Sequence, residues 1–192
     1  MRKLTELTPF LEPLSLLKIL LERTGCQWML IGGVAASLLG KPRFTADVDA
    51  VVLIEDKELS KLLKAAKRLG FKARIKYAAE FAQKNRVLLL KHTKTGINVD
   101  LSLGLLPFER EAIKRSKRFK IADIAFNLPT PEDLIIFKAV AHRPQDLEDI
   151  REIIKIHTRV NKKYIKKTVK EFAGALEMPE IWEDIASIVE TN

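Results

Sequence analysis

Ile31-Gly32-Gly33-Val34-Ala35-Ala36-Ser37-Leu38-Leu39-Gly40-Lys41-Pro42-Arg43-Phe44-Thr45-Ala46-Asp47-Val48-Asp49 is the stretch from which the fold is read. It is entered by a short apolar strand, Gln27 to Ile31, and its period turns helical from Val34 to Leu39. It leads into a second strand that runs from Asp47 to Ile54. A glycine pair between strand and helix lets backbone N–H groups and the helix N-terminus cradle a phosphate; an ordinary tight turn needs the same two residues. The pair is not a P-loop, because no Gly-Lys-Ser/Thr follows, and it is not Gly-x-Gly-x-x-Gly. Asp47 and Asp49 are two apart on a strand and so share a face. Carboxylates placed like this repel each other unless a proton or a cation intervenes. Mg²⁺ characteristically takes a few carboxylates together with substrate phosphates. A solvated strand entrance would carry the same two residues.

A third carboxylate stands in Ile97-Asn98-Val99-Asp100-Leu101-Ser102-Leu103, where apolar residues alternate with Asn98, Asp100 and Ser102. Asp100 therefore falls on the polar face of a half-buried strand. If that strand adjoins the Asp47 strand, three carboxylates converge, as in a two-metal phosphoryl-transfer centre.

Further out, Leu14, Leu17, Leu20 and Leu21 give residues 11–23 an amphipathic helical period that Gly25 ends. Residues 57–69 read as a helix closed by Gly70, and residues 71–77 and 86–92 as further strands, followed by a basic region to Phe126. From Leu128-Pro129-Thr130-Pro131 onward the period is helical, with Thr130 as N-cap and Pro131 in the first turn. These features predict an α/β (α+β) core over residues 1–127 and a helical part over residues 128–192. Lys138 is the single charge in Leu134-Ile135-Ile136-Phe137-Lys138-Ala139-Val140-Ala141. A buried, unpaired ammonium is costly, so Lys138 either snorkels to water or meets an anion. Asp146 and Asp149 share a helix face, which the helix N-terminus alone would favour.

Composition narrows the class. The chain has 192 residues, long enough to bury roughly 70% of its unfolded surface without disulfides or metals. Its one cysteine, Cys26, rules out an internal disulfide and a Cys-based zinc site. No apolar run reaches the ~20 residues of a membrane span. After Met1-Arg2-Lys3, the residues Glu12, Pro13 and Lys18 interrupt any signal-peptide core, so a cytoplasmic protein is expected. Lys+Arg 34 against Asp+Glu 25 gives a net charge of +9. The surplus clusters at residues 61–76, 114–120 and 159–170, while acids gather at 145–152 and 177–190. Such segregation suits a polyanion such as RNA, or else a solvated lysine-rich surface. His92, His142 and His157 lack metal-ligand spacing, Ser37, Ser102 and Cys26 lack a base partner, and Trp28 reads as core.

Taken together, Gly32, Gly33, Asp47, Asp49 and Asp100 resemble the nucleotidyltransferase superfamily pattern of strand, Gly-Gly, helix, Asp-x-Asp and a later Asp. Arg43-x-Thr45-x-Asp47-Val48-Asp49 is similar to the abortive-infection (AbiEii-like) toxin branch. So are Pro131-Glu132-Asp133-Leu134-Ile135-Ile136-Phe137-Lys138 and Arg143-Pro144-Gln145-Asp146-Leu147-Glu148-Asp149-Ile150. The likeness spans roughly residues 28–156. It implies a mixed sheet flanked by helices, and a metal-dependent transfer of a nucleoside monophosphate from an NTP to an acceptor hydroxyl. It implies Asp47, Asp49 and Asp100 as catalytic residues and ligands of two Mg²⁺ ions, with Mn²⁺ as the alternative. Gly32, Gly33, Arg43, Thr45, Lys138 and Asp146 would meet the nucleotide, Lys138 at its phosphates. Arg43 and Thr45 would serve equally as plain loop residues. The implied partners are an NTP, an RNA or tRNA acceptor, and a cognate antitoxin or regulator; no membrane is implied. A protein or small-molecule acceptor stays open. So does a non-catalytic RNA-binding or regulatory module, although a binder of polyanions has no use for three converging carboxylates.

Overall fold

Leu14, Leu17, Leu20 and Leu21 are all fully buried, on one face of helix α1 (Leu11–Arg23). The computed structural model describes residues 8–191; the basic opening Met1-Arg2-Lys3 lies outside the described residues. Strand β1 (Gln27–Ile31) runs directly into α2 (Gly32–Leu39), and β2 (Asp47–Leu53) follows the loop that holds Arg43 and Thr45. Then come α3 (Leu59–Arg68), β3 (Phe71–Ala73), α4 (Ala78–Asn85), β4 (Val87–His92) and β5 (Asn98–Leu103). Helix α5 (Pro107–Arg115) and a hairpin of β6 (Lys117–Ile121) and β7 (Ile124–Leu128) lead to α6 (Pro131–Ala141), α7 (Pro144–Ile156), α8 (Lys162–Leu176) and α9 (Glu180–Thr191).

The principal sheet has the order β1-β2-β5-β4-β3. Only the β2–β5 pairing is parallel; the other three are antiparallel, so the sheet is mixed. One face, with Val48, Ala50, Val52, Leu88, Leu90, Val99 and Leu101, is buried in a large apolar cluster with α1 and α3. That cluster continues through Leu134, Ile135, Ile150, Ile153, Ile165 and Ile181, so residues on both sides of position 127 share it. On the other face a small cluster of Met29, Val51, Ala112 and Ile113 seats α5 against the sheet. The expectation of an α+β fold with a mixed sheet and a helical C-terminal part agrees with this architecture.

Two stretches depart from the sequence reading. The strand expected over residues 71–77 stops at Ala73, and a helix it did not foresee, α4, begins at Ala78. Tyr77 carries a left-handed φ of 52°, which turns the chain, and Ala78-Ala79 favour the helix that follows. The basic region before Phe126 contains α5 and the β6–β7 hairpin, turned at Ala122 with φ 50°. Four of the five β6 residues are exposed, so the strand shows no apolar alternation to read. Strand β7 lies beside β1, where Asn127 Nδ2 donates to Trp28 O at 3.2 Å.

The third basic cluster does not stay free. Lys166 Nζ pairs with Glu190 Oε1 at 2.6 Å, and Lys166 and Lys170 lie over the Trp182 ring at 5.5 and 5.8 Å. Segregation along the chain thus becomes partial neutralisation where α8 packs on α9. Among the described residues no helix is long and apolar enough to cross a membrane.

Thr130 caps α6 as its position suggests, its Oγ1 accepting the Asp133 N–H at 3.1 Å. Thr130→Ala is expected to lower unfolding free energy by about 1 kcal/mol in urea titrations, with the slope unchanged.

Candidate active site

Because β2 and β5 run parallel, the register sets Asp49 abreast of Asp100 and Asp47 abreast of Asn98. Residues alternate between buried and partly exposed along β5, and Asn98, Asp100 and Ser102 all take the partly exposed face. Asp47 and Asp49 flank the buried Val48 in the same way. Three carboxylates therefore share one face of two adjacent strands.

The glycine pair fits this face at close range. Gly32 has φ +63°, and a Cβ there would lie 2.0 Å from Asp49 Oδ2. A Cβ on Gly33 would lie 2.3 Å from Thr45 Oγ1. Any side chain at either position would push the Asp49 or Thr45 side chain off the first turn of α2. The Gly33 N–H donates to the Asp49 carboxylate, so one helix N-terminal donor is engaged by the protein itself. Thr45 Oγ1 in turn donates to the Asp47 carbonyl at 3.3 Å.

Crowding of like charge shows in the carboxyl pKa values. Burial, and then the charges of Asp100 and Asp47, push Asp49 up to about 6. Burial also raises Asp100, against the pull of Arg74, whose Nη2 pairs with Asp100 Oδ1. Asp47 Oδ1 accepts from Asn98 Nδ2 at 3.1 Å.

A second charged group adjoins the first. Lys138 does not snorkel: it is 3% exposed, and its Nζ meets Asp146 Oδ1 at 2.8 Å and Asp149 Oδ2 at 2.6 Å. Arg43 forks onto Asp149, Nε to Oδ1 and Nη2 to Oδ2, both at 2.7 Å. Arg143 Nε holds Asp146 Oδ2 at 2.7 Å. Burial pushes both carboxyls up, but the hydrogen bonds from Arg143 and Lys138 to Asp146, and from Arg43 and Lys138 to Asp149, hold them below the ordinary range. Three cations surround two carboxylates, which leaves a net positive charge.

Between the two groups lies a cleft of about 460 Å³, bordered by Gly32, Asp49, Ser102, Lys138, Arg143 and Asp146. Gly32, Asp49, Lys138 and Asp146, all singled out from the sequence, border this one cleft. Asp47 and Asp100 join Asp49 on the sheet face. Gly33 and Thr45 support the turn, and Arg43 is tied to the cleft through Asp149. The sequence reading gave no role to Arg143, Arg74 or Asn98. The Arg143 side chain is 70% exposed, and its charge draws down the Asp49 pKa. Asn98 was legible in the alternation that marks Asp100; Arg74 was marked only as one charge of the basic cluster at residues 61–76, not as a partner of Asp100.

The donor set suits a hard divalent cation, since all three carboxylates are oxygen ligands and their mutual repulsion favours one. Among the described residues, no group of three acidic, histidine or cysteine side chains is drawn together as a ready metal cage. Arg74 holds Asp100, and Asn98 holds Asp47.

The family described as "Nucleotidyltransferase of unknown function (DUF6036)" matches residues 10–184. Among curated proteins no sequence relative is found. The structure is similar to that of an antigenic nucleotidyltransferase-like protein from Paracoccidioides brasiliensis, with a TM-score of 0.56 and 17% identity over 93% of this chain and 95% of that one. It is similar to the lincomycin-bound lincosamide antibiotic adenylyltransferase LnuA, with a TM-score of 0.51 and 17% identity over 73% of this chain and 93% of that one. It is also similar to the solution structure of the antibiotic-resistance factor ANT(2'')-Ia, with a TM-score of 0.59 and 14% identity over 88% of this chain and 95% of that one. At such identities the likeness establishes the fold.

Lys138→Met would suit the apolar helix in size but remove a buried charge that two carboxylates share. Methionine would strip each of two buried carboxylates of one cation, leaving an arginine apiece. The variant is expected to lose about 3 kcal/mol in denaturant unfolding. Asp49 supplies a pH test. Its folded pKa of about 6 lies above the ordinary 3.8, so the proton stabilises the metal-free fold at low pH, and that contribution is lost as pH rises through about 6. In chelator, Asp49→Asn is expected to be more stable than wild type by roughly 3 kcal/mol near pH 8. Melting curves of the two proteins should converge near pH 4.

Proposed function

The chain belongs to that nucleotidyltransferase family, and from this premise we propose that it moves a nucleoside monophosphate from an NTP to an acceptor hydroxyl. The observation that carries the reading is the Asp49–Asp100 register, which gathers three carboxylates beside a cleft bordered by Lys138 and Arg143. Asp47 and Asp49 would hold divalent ions, Mg²⁺ or Mn²⁺, and Asp100 would complete one site once Arg74 releases it. Bound there, such ions neutralise the carboxylates and draw charge from the phosphates.

The chain's own residues account for the rest. Gly32 and Gly33 leave room for the triphosphate against the first turn of α2. Arg143, exposed at the cleft, takes the β- and γ-phosphates, with Lys138 behind it. Arg43 and Asp146 position these cations, and Thr45 steadies the Asp47 strand. Asp100 accepts the proton of the acceptor hydroxyl as its oxygen bonds to the α-phosphorus. The bond from that phosphorus to the bridging oxygen breaks, and pyrophosphate leaves.

The finer reading follows the Arg43-to-Asp49 motif, which is similar to the abortive-infection toxin branch. It gives a toxin of the cytoplasm that acts on RNA such as tRNA and is held in check by an antitoxin or regulator. Two structural neighbours are a lincosamide antibiotic adenylyltransferase and an antibiotic-resistance factor, which keeps a small-molecule acceptor as the second reading.

Incubation with each labelled NTP, Mg²⁺ or Mn²⁺, and total tRNA or total protein is expected to label one acceptor. Asp47→Asn and Asp49→Asn are expected to reduce labelling by at least a hundredfold while both variants stay folded. Full activity in either would refute the carboxylate assignment.

A further inference from the structure

The sheet face that carries the carboxylates continues past them. In β4 and β5, Leu88, Leu90, His92, Val99, Leu101 and Leu103 are buried, whereas Val87, Leu89, Lys91, Asn98, Asp100 and Ser102 on the other face are all partly exposed. That second face is open to solvent along both strands. Register lays two rows across it. In the first, Lys72 stands abreast of Lys91, Lys91 of Asn98, and Asn98 of Asp47. In the second, the Arg74 N–H donates to Leu89 O at 2.9 Å, Leu89 stands abreast of Asp100, and Asp100 of Asp49. The face is anionic over β2 and β5 and cationic over β3 and β4.

Like charges directly opposite on neighbouring strands destabilise a sheet. Lys72 and Lys91 are such a pair, and among the described residues neither has an acidic partner. An anion over this row would relieve the repulsion. The NTP does not reach it in the proposed arrangement, because its cleft lies towards β1, at Ile31 and Gly32, and the carboxylates stand between. Lys91 is the diagonal neighbour of Asp100, about 7–8 Å away between Cα atoms. With the reach of a lysine side chain, that suits a hydroxyl and a phosphate carried by one nucleotide or sugar-phosphate unit.

Resting on the nucleotidyl-transfer reading, we propose that the acceptor is a phosphate-bearing molecule, with its reacting hydroxyl at Asp100 and its phosphate on Lys91 and Lys72. The acceptor oxygen bonds to the α-phosphorus of the NTP, its proton passes to Asp100, pyrophosphate departs, and the acceptor's own phosphate is unchanged. A cationic acceptor would be repelled by the same lysines.

The test uses the full chain and its Lys72→Gln/Lys91→Gln variant, each saturated with non-hydrolysable NTP analogue and Mg²⁺ so that the nucleotide site is blocked. Ribose, ribose 5-phosphate and a hexaribonucleotide are titrated and followed by NMR. The wild type is expected to bind both phosphate-bearing probes but not ribose. The variant should bind those two at least tenfold more weakly, with unchanged affinity for the NTP analogue and no loss of melting temperature. A hexaribonucleotide bound at least tenfold more tightly than ribose 5-phosphate, with a steep salt dependence, identifies nucleic acid as the source of the phosphate; equal affinities identify a small phosphorylated molecule. Ribose bound as well as ribose 5-phosphate, or equal probe affinities in wild type and variant, overturns the proposal. Failure of every NTP analogue to bind the wild type would sink the nucleotidyl-transfer reading and with it the acceptor role, an outcome distinguishable from failure of the lysine row because phosphate binding there is measured directly.

Discussion

Two carboxylates abreast on a parallel strand pair repel at close quarters, and β2 and β5 hold Asp49 and Asp100 in that relation. Burial first, and then this repulsion, pushes Asp49 up to about 6, a combined cost of order 3 kcal/mol. The opposite face of the same strands decides the contest. Val48, Ala50, Val52, Val99, Leu101 and Leu103 are buried there, and each larger one contributes roughly 1.5–3 kcal/mol. A slip of one residue would turn all of them to water. The apolar face therefore dictates the register, and the polar face must accept crowded carboxylates, for which Arg74 and Asn98 provide partial relief.

The buried network around Lys138 answers a different problem. Ion pairs away from water add little net stability compared with well-packed apolar groups, but breaking one is costly. What this network does is join parts. Lys138 on α6 meets Asp146 and Asp149 on α7, and Asp149 reaches Arg43 in the loop before β2. The helical part of the chain is thereby pinned to the loop that leads into Asp47. Arg143 is left with one end on Asp146 and most of its side chain in the open cleft.

Charge patterning shows why a run of lysines is a poor guide to a binding surface. The longest basic stretch of the C-terminal part, on α8, meets the acids and the Trp182 ring of α9. The row at Lys72 and Lys91 brings together residues 19 apart in sequence. No count of neighbouring lysines would find it, because strand pairing assembles it.

The local sequence was enough to determine α1 from its leucines, β5 from its alternation, β2 from its apolar run after Asp49, the start of α6 from Thr130 and Pro131, and the shared face of Asp47 and Asp49. Each of these depends only on residues close together in the chain. Strand β6 and helix α4 escaped notice because exposed strand residues and a helix entered from a left-handed Tyr77 leave no apolar period. The tertiary structure alone decided that β5 lies parallel beside β2, that Lys138 finds two carboxylates rather than water, that Arg43 ends on a residue 106 positions away, and that Arg74 holds Asp100. A sequence shows which faces must be buried; which partner buries or neutralises them depends on long-range packing, where the best-fitting apolar contacts set the positions and the charges take the neighbours they are given.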